Sequence, residues 1–237
     1  MSVSVDKLLN LHTAFWKREL VRPIINIDCS MVRRTKPVPA LGPGWEDQER
    51  LTLVPDMISP EEFQPPPFVL DGEVLIHGEV AFNTWPPYFR VPWLTGIMGC
   101  DMVASRSGQT VWPEPYASDN WHQLENQGFA PRLEWLDKLL DFIRYVVNNW
   151  CPDCCVATTD LIARGPGDLL LHILGSENIY LSFYDHPQET KLLLDQITDL
   201  YIRWGQAQLE VIPRTHGGYC NAYGIWSPGS IIRSQED

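Results

Sequence analysis

Residues 156–237 alternate between β-prone and helical segments, and polar residues stand where each predicted strand ends. Residues 156–159 are a short β-prone run that is followed directly by Asp160. Arg164 comes next, and the apolar run at 169–174 then predicts a buried helical segment. Such alternation is typical of parallel strands joined by crossover helices, whose ligand sites lie at the carboxyl ends of the strands.

The second half of this stretch predicts another helix and another strand. Asp185 is positioned to cap a helix whose first turn contains Pro187 and Glu189, which are residues that helix starts favour. That helix is predicted to end near Leu209, and residues 223–233 supply the next candidate strand.

The rest of the chain is predicted to belong to the same single domain, residues 1–237. The clearest helix spans 131–150, and the proline-rich segment at about 35–67 is predicted to be an irregular excursion. The other predicted elements are a helix at 2–20, strands at 23–28 and 74–82, a short helix at 92–100 that stops at a glycine, and a hairpin or loop at 101–120.

Charge and composition exclude several classes of function. With 18 basic and 30 acidic side chains the net charge is −12, and no basic stripe is available to bind the phosphates of a nucleic acid. No apolar run approaches the roughly 20 residues that cross a bilayer, and the N-terminus does not resemble a secretory signal. We therefore expect a globular, cytoplasmic protein that acts on a small molecule, with no nucleic-acid or membrane partner.

The six cysteines are too sparse and uneven for a disulfide scaffold, so reduced thiols are expected. Cys151 and Cys154 have the spacing of a redox pair, but they lie between a helix and a following strand, which favours a turn with buried sulfur. His216 and Cys220 suit zinc only if two further ligands converge, and the sequence identifies none. No metal ligand is therefore assigned.

The candidate site residues are polar or aromatic side chains at predicted strand ends and in broken segments. Acids at strand ends can act as paired proton donor and acceptor, although most acids in such places cap helices or face water. The acids are Asp28, Glu79, Asp160, Glu236 and Asp237. A proline-broken cluster of aromatic residues, Trp85, Tyr88, Phe89 and Trp93, forms either the wall of a pocket or the packing of a lid.

Several of these segments together resemble the uroporphyrinogen decarboxylase superfamily, which includes corrinoid- and coenzyme M-linked methyltransferases. They are residues 92–100, the strand-loop-helix at 160–175, the segment 175–187 with its following helix, and the strand before Ser234-Gln235-Glu236-Asp237. The resemblance implies an α/β fold of the (β/α)8 TIM-barrel type, often dimeric. This chain would be its N-terminal portion, holding about the first five βα units.

The resemblance implies a carbon–carbon lyase that acts on a tetrapyrrole-type substrate without a metal or organic cofactor. Asp160, Glu236 and Asp237 are the expected catalytic residues, and the expected substrate contacts are Trp93, Arg164, His216 and Tyr219. The arginine-rich motif of the family decarboxylases has no counterpart, since residues 26–30 read Asn-Ile-Asp-Cys-Ser. Whether such a portion catalyses the reaction alone stays open.

Three alternatives are kept. The first is a methyltransferase of the same superfamily, which would use zinc or a corrinoid and a corrinoid protein partner. The second is a barrel glycosidase, which the acidic strand ends and the ten tryptophans would suit. The third is a non-catalytic binding remnant, in which case the unpaired strand edges of an open half-barrel should self-associate.

Overall fold

The structure is a computed structural model, and part of the chain is described. The described residues are 5–25, 50–62, 69–70, 73–74, 79, 82, 84–85, 87, 91–105, 110–115, 130–151, 155–160 and 164–229. Residues 26–28 of the strand predicted at 23–28 lie outside them, as does most of the proline-rich excursion, and the described residues 23–25 are not in a strand.

Helices dominate the described residues, and they concentrate in the second half of the chain. They are α1 (Val5–Trp16), α2 (Trp93–Ile97), α3 (Leu133–Trp150), α4 (Pro166–Leu174), α5 (Ser176–Asp185) and α6 (Pro187–Val211). Two single turns of 3₁₀-helix, Pro55–Met57 and Pro60–Glu62, lie between α1 and α2 in the sequence. The helices predicted at 2–20, 92–100 and 131–150 are therefore present, each with narrower bounds than predicted.

The strands are short and form four small sheets within the described residues. They are β1 (Arg50–Leu53), β2 (Val69–Leu70), β3 (Glu73–Val74), β4 (Thr84–Trp85), β5 (Asp101–Ser105), β6 (Thr110–Glu114), β7 (Val156–Ala157), β8 (Tyr219–Cys220) and β9 (Trp226–Ser227). Antiparallel pairing builds the sheet β1-β5-β6 and the hairpins β2-β3 and β8-β9, whereas β4 and β7 pair in parallel.

The main core lies between the helices and the β5-β6 hairpin. One face of α3 supplies the buried side chains Trp135, Leu139, Phe142, Ile143, Val146 and Trp150. Their spacing places them on one stripe, α2 and α6 pack against α3, and α4 packs against α6 in the same core. Gly99, at φ 103°, ends the segment that contains α2 in a conformation that glycine adopts without strain.

The boundary between α5 and α6 corrects one prediction. Asp185 is the last residue of α5 and does not cap α6, because the chain breaks one residue later, at His186. His186 has φ −135° and ψ 51°, which is consistent with the steric exclusion of helical backbone before Pro187. The hydroxyl of Thr190 then donates to the carbonyls of Ser182 and His186, and this joins the two helices.

The mixed α/β class is confirmed. The expected parallel pairing is present between β4 and β7, whereas the other described strands pair antiparallel. Residues 101–105 and 110–114 form the predicted hairpin. The described part of the strand predicted at 223–233 is β9, but it pairs antiparallel with β8 in a hairpin and does not extend a parallel sheet. The described strands do not close into a barrel. Within the described parts of the chain, no helix has both the length and the apolarity needed to cross a bilayer.

Candidate functional site

Asp160 lies just beyond the carboxyl end of the parallel strand β7. The backbone N–H of Thr158 donates to the carbonyl of Trp85 at 3.3 Å, so the pairing of β4 and β7 continues past Ala157. Thr158, Thr159 and Asp160 are all buried, and Asp160 is only 3% exposed. A carboxyl group is thus held inside the protein at the position where parallel α/β folds carry their ligand sites.

Gln208 of α6 fixes the backbone of Asp160. Its Oε1 accepts a hydrogen bond from the N–H of Asp160 at 2.8 Å, and its Nε2 donates to the carbonyl of Trp204 at 3.2 Å. Gln208 is completely buried. The sequence interpretation did not identify this residue, although it continues the buried stripe of α6 that includes Ile197, Leu200 and Trp204.

Arg164 lies two residues before α4 and next to its first turn. Its Nη1 lies 3.7 Å from Oδ2 of Asp168, and its side chain is 42% exposed. The Nε atom of Arg164 is buried and has no hydrogen-bond acceptor within the described residues. An acidic ligand would therefore meet the exposed part of the guanidinium and not the buried Nε.

His172 forms a polar contact that the sequence did not suggest. Its Nδ1 shares a hydrogen bond of 3.0 Å with Oγ1 of the buried Thr95, which joins α4 to α2. Burial, and to a smaller extent the positive charge of Arg164, lower the pKa of His172 to about 4 against the opposing effect of Asp168. The imidazole is therefore neutral at pH 7 and links two helices.

His216 and Tyr219 belong to the β8-β9 hairpin and the turn that precedes it. His216, at φ 49°, is exposed and stacks on Phe82, with ring centroids 5.4 Å apart. The guanidinium of Arg214 lies 5.5 Å from the ring centroid of the half-buried Tyr219. The zinc interpretation paired His216 with Cys220, but the thiol is buried, and its burial raises its pKa to about 12.

The hairpin packs against β7 and α1. Val156, Cys220 and Trp226 form one buried apolar cluster, which places the hairpin beside the strand that leads to Asp160. The carbonyl of Trp226 accepts a hydrogen bond from Nε1 of Trp16, and its N–H donates to Nδ1 of His12. Sequence-distant parts of the chain therefore meet around β7.

The remaining predicted site residues fall into three groups. Trp93 is fully buried and packs edge-to-face on Trp135, with ring centroids 6.1 Å apart, so it is a core residue of the α2–α3 interface and is not carried into the candidate site. Glu79 binds Arg22 through both carboxylate oxygens and accepts the N–H of Ile25. The predicted site residues Glu236 and Asp237, as well as the candidate acid Asp28, lie outside the described residues.

A metal centre is not apparent within the described part of the chain. No three side chains among its His, Cys, Asp and Glu residues gather closely enough to hold an ion.

The candidate site is therefore the region at the end of β7, with Asp160 at its centre, Arg164 after it and the hairpin of His216 and Tyr219 beside the strand. No family model matches the sequence, and no curated protein or solved structure is significantly similar to it.

Proposed function

We propose that this chain is an α/β barrel enzyme of the uroporphyrinogen decarboxylase type, a carbon–carbon lyase for an acidic, tetrapyrrole-type substrate. The single observation that carries the proposal is the buried carboxyl of Asp160 immediately after the parallel strand β7. Barrel enzymes place catalytic side chains at such strand ends. A (β/α)8 barrel, in which β4 and β7 would be neighbouring strands, is part of the proposal.

Asp160 suits the chemistry of this reaction. Decarboxylation of a pyrrole side chain requires protonation of the ring, after which carbon dioxide leaves and the electron pair of the broken bond is delocalised into the ring. A buried carboxylate beside the ring stabilises the positive charge that develops on it, since such interactions are strong where water is excluded. The hydrogen bond from the Asp160 backbone to Gln208 supports this role by fixing the residue in place.

Arg164 suits the acidic groups of the substrate. Its side chain is partly open to solvent. A guanidinium binds carboxylates through two parallel hydrogen bonds. In this proposal His216 and Tyr219 line the mouth beside β7, and the reaction needs no metal or organic cofactor.

The test is an anaerobic incubation of the protein with chemically reduced uroporphyrin, with products separated by mass spectrometry. We expect products that have lost one or more carboxyl groups. Asp160→Asn should reduce the rate by about 10²–10³-fold, the range expected for loss of one group that stabilises charge in the transition state. Asp56→Asn is the matched control, because the Asp56 side chain is 99% exposed, and it should leave the rate unchanged.

Circular dichroism must first establish that each variant is folded. Arg164→Gln should raise KM more than it lowers kcat, because its role is to bind the substrate. A folded wild-type protein that releases no carbon dioxide from this substrate, or a folded Asp160→Asn variant with the wild-type rate, would contradict the proposal.

A further inference from the structure

Two cysteine thiols face each other where α3 meets β7. The Sγ atoms of Cys151 and Cys155 lie 4.0 Å apart and share a weak hydrogen bond. Cys151 directly follows α3, and Cys155 directly precedes β7. The N–H of Cys155 donates to the carbonyl of Trp150 at 3.4 Å, which holds the backbone of Cys155 close to the end of α3.

The two thiols differ in a way that suits attack followed by resolution. Cys151 is partly exposed, whereas Cys155 is only 3% exposed. The hydrogen bond from Cys155 lowers the pKa of Cys151; burial opposes this shift, and a backbone hydrogen bond with Ala157 adds to it. A thiolate is the reactive form of cysteine, so the lowered pKa favours reaction at the accessible member of the pair.

The other described cysteines lack these features. Cys100 and Cys220 are both buried, and burial raises the pKa of each to about 12. Neither thiol therefore forms a thiolate near neutral pH, and oxidation of the described cysteines should be selective for the pair at 151 and 155.

We propose that Cys151 and Cys155 are an oxidisable dithiol that hydrogen peroxide converts into an intrachain disulfide. The Cys151 thiolate attacks the peroxide oxygen to give a sulfenic acid, and the first molecule of water is released. The thiol of Cys155 then attacks the sulfenic sulfur to form the disulfide, and the second molecule of water leaves. The two thiols lose two electrons in total, which the peroxide accepts.

The pairing differs from the one that the sequence spacing suggests. Cys-x-x-Cys spacing pairs Cys151 with Cys154, which lies outside the described residues, whereas the structure brings Cys151 to Cys155. The S–S distance must shorten to about 2 Å, which rotation of the partly exposed Cys151 side chain can provide. The new bond would join the end of α3 to the strand that precedes Asp160.

The test uses the full chain, reduced and then exposed to hydrogen peroxide at neutral pH. Free thiols are blocked with N-ethylmaleimide, and trypsin then releases residues 145–164, which contain Cys151, Cys154 and Cys155. We expect this peptide to lose two hydrogens and to carry one maleimide. Cys154→Ser should form the disulfide at a rate within about twofold of wild type, whereas Cys155→Ser should slow it by at least about tenfold.

The matched pair of variants decides which thiols react. Rapid disulfide formation in Cys155→Ser together with its loss in Cys154→Ser would overturn the proposal, and so would full alkylation of the wild-type peptide after oxidation. Circular dichroism checks that each variant is folded. Because Cys155 is buried, Cys151→Ser provides a second test at a partly exposed position, and it should leave both remaining thiols of the peptide alkylated.

Discussion

The side-chain amide of Gln208 holds the backbone of Asp160, which lies 48 residues earlier in the chain. Both residues are buried, and the Oε1 to N distance is 2.8 Å. Because the same amide also donates to the carbonyl of Trp204, its orientation in α6 is fixed. The loop after β7 is thereby connected to α6 through one polar contact inside the core.

Loss of this contact should cost stability. Gln208→Leu keeps a similar volume but leaves the N–H of Asp160 buried without its acceptor, so we expect the free energy of unfolding to fall by about 1–3 kcal/mol. Urea denaturation, followed by tryptophan fluorescence, measures this free energy of unfolding. The matched control is Gln206→Leu, at an exposed position of the same helix, which should change stability by less than about 0.5 kcal/mol. Equal effects of the two substitutions would show that the contact contributes nothing.

Gln208 illustrates which parts of the structure the sequence could predict. Apolar residues at helical spacing predicted α3 and most of α6, because burial of one face determines where such helices form. The two-residue strand β4 was not predicted, because it lies in a proline-broken segment and forms by pairing with β7, which is distant in sequence. A glutamine in a helix ordinarily indicates a solvated position, so its role in the core depended on the tertiary contact.

Local sequence pattern also decided which residues of the candidate site could be predicted. Asp160 could be identified because it follows a clear β-prone run, and the structure has β7 at that place. Trp93 was misplaced because an aromatic residue in a proline-rich segment fits a pocket wall and a core equally well by composition. Its contacts with Trp135 and Phe142 come from α3, and no local pattern around Trp93 indicates them.

The neutral His172 should make stability depend on pH. Its pKa falls from 6.5 to about 4 in the folded protein, so the unfolded chain binds a proton more readily on acidification. Its stabilising effect is therefore complete above about pH 6.5 and is lost as the pH falls toward 4, with a total on the order of 2–3 kcal/mol. Urea denaturation at pH 7 and pH 5 should reveal the loss.

Substitution of His172 separates this effect from the titration of the acidic residues. His172→Asn keeps a polar atom close to the position of Nδ1, which contacts Thr95. Asparagine does not titrate in this range, so the unfolding free energy of the variant should fall less between pH 7 and pH 5 than that of wild type. His216→Asn is the matched control, because His216 is exposed, and its pH dependence should equal that of wild type. A His172→Asn variant with the wild-type pH dependence would contradict this assignment.

The ion pair of Arg22 and Glu79 should be visible in the titration of one carboxyl. The hydrogen bond from Arg22 lowers the pKa of Glu79 from 4.5 to about 2, and the N–H of Ile25 contributes as well. The pair therefore stabilises the fold above about pH 4.5 and is lost as the pH falls toward 2. Carbon-13 NMR of the Glu79 carboxyl should give a midpoint near 2 in wild type and a clearly higher one in Arg22→Gln. Lys17→Gln, which removes an exposed charge nearby in sequence, should leave the midpoint unchanged.

Gly218 should be essential for the hairpin that contains His216 and Tyr219. A Cβ at this position would clash with the carbonyl oxygen of Ser227 and would lie 2.7 Å from the ring of Trp226, so Gly218→Ala must push the two strands apart. We expect a loss of about 1–3 kcal/mol of unfolding free energy, as for other overpacked sites.

Gly167, in the first turn of α4, provides the matched control for Gly218. A Cβ there would meet nothing within 4 Å. Gly167→Ala should therefore raise the free energy of unfolding by up to about 1 kcal/mol, since alanine favours the helix over glycine. Thermal denaturation of both variants measures the contrast. Equal stability of Gly218→Ala and Gly167→Ala would show that Gly218 does not lie tightly against Ser227 and Trp226. The hairpin of β8 and β9 would then be wrong, and with it the position of His216 and Tyr219 beside β7.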